Sequence, residues 1–243
     1  MPSILFNTMP KSGSIYLTNW LMAGLGVPQT KIAVCLFPDD LVIREKMDEF
    51  VAGNFVCQQH LPAKDINLRF IAARLKRIVV HTRDPRQATL SWVHHLDNFF
   101  AHREIVPACR LGLEAVMPAL PADYFSRTLS EKIDHQIAVH FPALVEWVRG
   151  WANAQGKHGI EILYTTYEEM ITSPQDLVIA ILNHYGIPSN DFDWSKSVDR
   201  TAATHFRKGE PDEWRGAFTD EQKAKCKTLM PSDLSEQFGW RLD

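Results

Sequence analysis

The chain has 243 residues, 45% hydrophobic and 23% charged, which suits a globular protein with a substantial core and excludes disordered and fibrous classes. Its 26 basic and 29 acidic residues leave a net charge of −3, so no global positive field invites nucleic acid. Cys35, Cys57, Cys109 and Cys226 are scattered without C-x-x-C or His/Cys ligand spacing, and no apolar run reaches a membrane span, which predicts reduced thiols, no zinc site and no bilayer crossing.

In chain order, Ser3 to Thr8 reads as a buried strand and Ser14 to Leu25 as a helix closed by Gly26. A strand that begins by residue 3 leaves no room for a signal peptide, so a soluble cytoplasmic protein is expected. Leu41 to Phe50 reads as helix, Asn54 to Gln58 as extended, and Ala63 to Lys76 as helix. RIVVHT, Arg77 to Thr82, has the β-branched density of a central strand, and RDPR hands over to a helix from about Gln87. Three prolines and weak periodicity make 103 to 125 an irregular or short-helical insertion. A long helical pattern runs from Leu129 to Ala154, and Ile160 to Thr165 is another strand. Ser173-Pro174 opens a helix that Gly186 closes, with Ser173 expected as cap, and Thr219 with Gln222 forms a capping box for a last helix.

Strands alternating with helices of this length predict an α/β fold, a central parallel sheet with helices on both faces, and a single domain over residues 1 to 243. Ligands of such sheets bind beyond the carboxyl ends of the strands, where TMPKSGS and RDPR both fall. A lysine among small polar residues between strand and helix suits an anion on the helix N-terminus. It is not a triphosphate loop of the usual kind, because position 8 is Thr8 instead of glycine and Lys11 precedes Gly13.

Five segments, in order, resemble the sulfotransferases that use 3′-phosphoadenosine 5′-phosphosulfate (PAPS). TMPKSGS is similar to the family's phosphosulfate loop at Thr8, Pro10, Lys11, Ser12, Gly13 and Ser14. VVHTRDPRQATLS supplies Arg83 and, eight positions on, Ser91, similar to the pair that grips the 3′-phosphate. QQHLP resembles the segment presenting a catalytic histidine, which would be His60. YTTYEEM resembles the segment that places a tyrosine, here Tyr167, by the adenine. FRKG resembles the closing loop, with Phe206, Arg207, Lys208 and Gly209 on the nucleotide.

The resemblance implies a P-loop-like nucleotide-binding core, PAPS as co-substrate, PAP (3′-phosphoadenosine 5′-phosphate) as product, and no metal. It also implies in-line transfer of a sulfuryl group to a hydroxyl, or less favourably an amine, of a small-molecule or glycan acceptor, with His60 as general base and Lys11 stabilising the leaving phosphate. A homodimer is common among relatives. Variable segments at about 28 to 45 and 95 to 128, with Phe37, Phe99, Phe100, Tyr124 and Phe125, would shape the acceptor site.

Three departures stand out. Ile15 replaces a second hydroxyl, Tyr16 stands where tryptophan is common, and Gln58 replaces a lysine two places before His60, removing a cation. His94 and His95 read as packing or surface residues, with lining of the acceptor pocket by one of them as the alternative; Trp147 and Trp151 read as core, and adjacent Glu168 and Glu169 point apart. The alternatives are a P-loop-type nucleotide kinase or phosphotransferase, which the loop's glycine and lysine order disfavours, and a non-catalytic PAPS- or PAP-binding module.

Overall fold

The computed structural model describes residues 1–34, 37–101, 120–196, 210 and 212–241, with the side chains of 99–101 excluded. The chain groups into two compact units, one of residues 1–83 and 147–209 and one of 84–146 and 210–243.

The first unit holds a five-stranded sheet in the order β2-β5-β1-β6-β7, with every neighbouring pair parallel. Its strands are β1 (Ile4–Thr8), β2 (Gln29–Thr30), β5 (Val56–Gln59), β6 (Arg77–Thr82) and β7 (Glu161–Thr166). All five residues of β1 are buried, as a central parallel strand covered on both faces requires. Ile4 and Phe6 pack with Leu17, Trp20 and Leu21 of α1 (Ser14–Leu25) and with Leu177, Val178, Ile181 and Leu182 further along the chain. Burying each such side chain contributes roughly 1.5–3 kcal/mol.

Helices α2 (Arg44–Ala52) and α3 (Asp65–Ala72) connect the strands on one side of β6. A two-stranded antiparallel pair, β3 (Ala33–Val34) and β4 (Leu41–Val42), precedes α2. The helix expected from Leu41 therefore starts at Arg44. Its first two residues pair across the hairpin, and the Val42 amide donates to Asn67 Oδ1 at 3.1 Å, tying the hairpin to α3.

The long helix of the second half is α5 (Leu129–Ala152), which runs through Pro142. It is preceded in the chain by α4 (Pro85–Ala101). After β7 come α6 (Tyr167–Thr172) and α7 (Pro174–His184). Residues 166 to 172 fall between the expected strand and the expected helix, and there Thr166 and Glu169 form a full capping box that starts α6. Ser173, expected to cap α7, makes no side-chain cap bond, and Pro174 at the first position sets the helix start instead.

The second unit contains α4, most of α5, α8 (Trp214–Ala217), α9 (Asp220–Leu229) and α10 (Ser232–Phe238). RDPR turns out to be a helix-start device. Asp84 accepts from the Arg86 amide at 2.8 Å and forms a buried ion pair with the Arg86 guanidinium at 2.7 Å, while Pro85 occupies the first helical position. Arg86 then lies 4.0 Å over the Trp214 ring. The Thr219–Gln222 capping box is present, and the Gln222 amide also donates to Ser130 and Asp134 of α5, at 3.0 Å for the Ser130 carbonyl. The expected last helix is followed by one more, α10, closed by Gly239.

Cys57 and Cys226 are buried thiols, whereas Cys35 and Cys109 lie outside the described residues. Among the described residues no helix is long and apolar enough to cross a membrane, and no group of three His, Cys, Asp or Glu side chains could hold a metal ion.

Candidate active site

Parallel register assembles the candidate site along the carboxyl edge of the sheet. Thr30 aligns with Cys57 and Asn7 with Gln59, so Lys31 comes beside Gln58, and Thr8 beside His60. Thr8 aligns with His81 and His81 with Thr165, which carries the row to the chain leading into Arg83 and Tyr167.

The loop from Pro10 to Ser14 is held from below. Ser12 is fully buried and its hydroxyl donates to the Met9 carbonyl at 2.7 Å. His81 is also fully buried: its Nε2–H donates to the Ser12 carbonyl at 2.9 Å, and its Nδ1 accepts from the Thr165 hydroxyl at 2.8 Å. A carbonyl can only accept, so these two bonds fix the neutral tautomer.

Lys11 sits at φ 64, a left-handed conformation uncommon for a residue with a Cβ. The Arg83 guanidinium, donating to the Lys11 carbonyl at 2.9 Å, helps hold it there. Gly13, at φ 81, is the N-cap of α1, and a Cβ there would stand 2.6 Å from Met170 Cε. Only glycine satisfies both demands.

The loop fits an anion. The Gly13 cap uses no side-chain bond and no acidic residue occupies the first turn of α1, so neither competes with an external anion at the helix's positive end, where the Tyr16 amide turns back to the Gly13 carbonyl at 3.1 Å. Ser14 begins that helix and is buried, whereas Ile15 stands 40% exposed where a second hydroxyl was in question. Tyr16 lies against Trp20, with ring centroids 5.9 Å apart.

His60 follows β5 directly. Its Nδ1–H donates to the Thr8 carbonyl at 2.6 Å, which leaves Nε2 as the acceptor nitrogen. Phe37 packs edge-on against the ring at 6.4 Å. Burial holds the imidazole down at about 4, against the opposing bond to Thr8, and the positive charges of Lys31 and Lys11 push the same way. His60 is therefore neutral near pH 7, the form that can take a proton.

Arg83 is buried and lies 3.6 Å over the Tyr167 ring. Tyr167, itself buried, also approaches Gly13, with Cδ2 3.2 Å from the place a Cβ would take. The first unit thus brings Pro10, Lys11, Ser12, Gly13, Ser14, His60, Arg83 and Tyr167 to one sheet edge. Ser91 is on α4, in the second unit. Phe206, Arg207, Lys208 and Gly209 lie outside the described residues, as does most of the insertion after Ala101. Within the second unit, Tyr124 accepts from the Gln136 amide at 3.1 Å, and Trp92 stacks on His140 at 4.8 Å and packs beside His95, which matches the packing role expected of His95.

Sequence reasoning missed the residues that hold His60 in place. Asn7, buried in β1, donates to the Leu61 carbonyl at 3.0 Å and accepts the Leu61 amide at 2.8 Å. The indole N–H of Trp147 donates to the His60 carbonyl at 3.1 Å, and that of Trp151 to the Leu61 carbonyl at 2.8 Å. Their spacing of four along α5 signalled one helix face, but not that both polar tips would meet the same two residues. The polar handle of a buried indole was the available clue.

The two neutral histidines predict a pH response of stability. Burial lowers His81 as well as His60 to about 4, below the ordinary 6.5. The unfolded chain then binds more protons than the folded one between those limits. Stability is full above pH 6.5 and is lost as pH falls toward 4, by on the order of 3 kcal/mol for His81. Urea unfolding at pH 7.5, 6 and 5 should show the midpoint falling with acid. His81→Gln, which keeps a donor for Ser12, should flatten that slope; an unchanged slope would contradict the assignment.

Known proteins share this sequence's family pattern and its fold. The family model described as "Sulfotransferase domain" matches residues 51–237, which includes His60, Arg83 and Tyr167 but begins after the Lys11 loop. Among solved structures, mouse sulfotransferase SULT7A1 complexed with PAP matches at 16% identity and TM-score 0.61, over 94% of this chain and 82% of that one. The sulfotransferase domain from the curacin biosynthetic pathway matches at 12% identity and TM-score 0.56, over 100% and 99%. Retinol dehydratase in complex with retinol and PAP matches at 12% identity and TM-score 0.52, over 98% and 82%. No curated protein sequence matches. At these identities the structures establish a shared fold, a central parallel sheet with a P-loop-like core, and the family match covers more than half of the sequence. The chain belongs to the sulfotransferase family.

Proposed function

We propose that the chain is a PAPS-dependent sulfotransferase, one domain over residues 1 to 243, that moves a sulfuryl group to a hydroxyl of a small-molecule or glycan acceptor. An amine is the second acceptor type. The observation that carries the reading is the pairing, on one sheet edge, of a neutral His60 whose Nε2 is the acceptor nitrogen with a Lys11 loop at an uncapped helix start.

His60 Nε2 takes the acceptor's proton as the acceptor oxygen forms its bond to sulfur and the bond from sulfur to the bridging oxygen breaks. Lys11 neutralises charge on that bridging oxygen and on the leaving 5′-phosphate, and the amides of Ser12 to Ser14 cradle the phosphate. Sulfuryl transfer resembles phosphoryl transfer with less charge on the moving group, so positioning and electrostatics supply most of the rate. A base at about 4 is weak, but anionic donor beside Lys11 offsets the cations that depress His60 and brings it nearer working pH.

Arg83, Ser91, Arg207, Lys208 and the Gly209 backbone are assigned to the 3′-phosphate, and Ile15, Tyr16, Tyr167 and Phe206 to the rest of the nucleotide. Purified chain with PAPS and pools of phenols, alcohols, amines and glycans, read by mass spectrometry for added SO₃, tests the proposal. A sulfated product that forms only with intact chain supports it. PAPS left unconsumed with every pool would count against it.

A further inference from the structure

Position 58 lacks a cation, yet the structure places one against it from the neighbouring strand. Lys31 follows β2, and parallel register sets it beside Gln58. Its ammonium donates to the Gln58 main-chain carbonyl at 2.6 Å and to the Gln58 side-chain Oε1 at 3.0 Å. An ammonium has only donors, so the amide atom facing it must be oxygen, and the NH₂ group must face the other way. There it donates to Thr8 Oγ1 at 2.9 Å and lies 3.4 Å from His60 Nε2. Thr8 closes the chain of bonds, because its own carbonyl accepts His60 Nδ1–H at 2.6 Å.

We propose that Lys31 is a positioning residue for sulfuryl transfer: it holds Gln58 so that an amide N–H, and not the amide oxygen, faces His60 Nε2, and it returns to the site the positive charge absent from position 58. The proposal rests on the sulfotransferase reading for its role in turnover, but the hydrogen-bonded relay is testable without it. Without the ammonium, the Gln58 amide is able to turn over and present Oε1 to His60 Nε2. An acceptor there, with the Thr8 carbonyl already on Nδ1–H, favours a ring protonated at both nitrogens, which occupies the nitrogen the mechanism needs. The same change stabilises imidazolium, as does loss of a nearby positive charge, so both effects raise the proton affinity of His60. Among the described residues, the charged groups whose fields reach this ring are Lys31, after β2, and Lys11, after β1. Thr8, Gln58 and Phe37 supply its uncharged surroundings.

The test compares wild type with Lys31→Met, which keeps the stem, and Lys31→Arg, which keeps the charge and the donors. Lys31 is partly exposed, and matching thermal melts will show that each variant folds. Nitrogen-15 NMR of the full chain reads the His60 tautomer and titration directly. Lys31→Met should shift the His60 titration upward by roughly 0.5 to 1 pH unit, with Lys31→Arg close to wild type. An unshifted His60 titration in Lys31→Met would overturn the proposal. In parallel, PAP release from PAPS should fall about tenfold in Lys31→Met, with PAP affinity retained and the rate recovered in Lys31→Arg. Wild type that binds no PAP would instead overturn the sulfotransferase reading and leave the NMR result to decide the relay.

Discussion

His60→Gln is expected to lower sulfuryl transfer by about 10²- to 10⁴-fold, the usual contribution of a positioned general base. Glutamine fills much the same space, and its amide can still donate to the Thr8 carbonyl, so the fold around β1 and β5 should survive. The loss should fall on kcat, with PAP affinity changed by no more than roughly twofold, because the proposed mechanism gives His60 the acceptor's proton and no contact with the nucleotide. The acidic limb of the kcat/KM profile should disappear with the imidazole. Wild type should show that limb below pH 6.5, since burial and the two lysines depress the group in the free protein. Full turnover in His60→Gln would remove the base from the mechanism and favour a binding module or a base located elsewhere.

Lys11→Met is the second large effect. The side chain leaves a backbone held at φ 64 by the Arg83 bond to its carbonyl, and that bond does not depend on the ammonium. The substitution therefore removes charge from the loop while leaving the loop's supports in place. Loss of one preorganised donor to a developing oxyanion typically costs about 10²- to 10³-fold in kcat, and that is the fall expected here. PAP affinity should also drop, by about tenfold, because a charge-assisted contact to phosphate is lost. Lys11→Arg should recover binding better than rate, since a planar guanidinium cannot place its charge where an ammonium does. Steady-state rates and PAP titrations on the three proteins separate the two effects. An unaltered kcat in Lys11→Met would contradict the assignment of Lys11 to the leaving group.

Much of this arrangement was legible in the sequence because it is local. The strand, tight turn and helix of Ile4 to Leu25, the RIVVHT strand and the Thr219 capping box each announce themselves within a few residues. The short strands β2, β3 and β4 did not, because two residues carry no periodicity and their pairing is decided by distant partners. The same limit hid the supports of His60. Asn7, Lys31, Trp147 and Trp151 reach it from β1, from beyond β2 and from α5, brought there by register and helix packing that no local pattern encodes. Gln58 illustrates the difference: as a sequence feature it was a missing cation, and in the fold it is the acceptor for one.

The central claim, a site built for a 3′-phosphorylated adenosine nucleotide with sulfate at its 5′ end, is tested most directly by calorimetric titration of PAP into the purified chain without added metal. Binding at micromolar concentration or tighter, weakened by Lys11→Met and not reproduced by ATP with Mg²⁺, is the predicted result. No PAP binding in that range, or metal-dependent binding of ATP in its place, would contradict it.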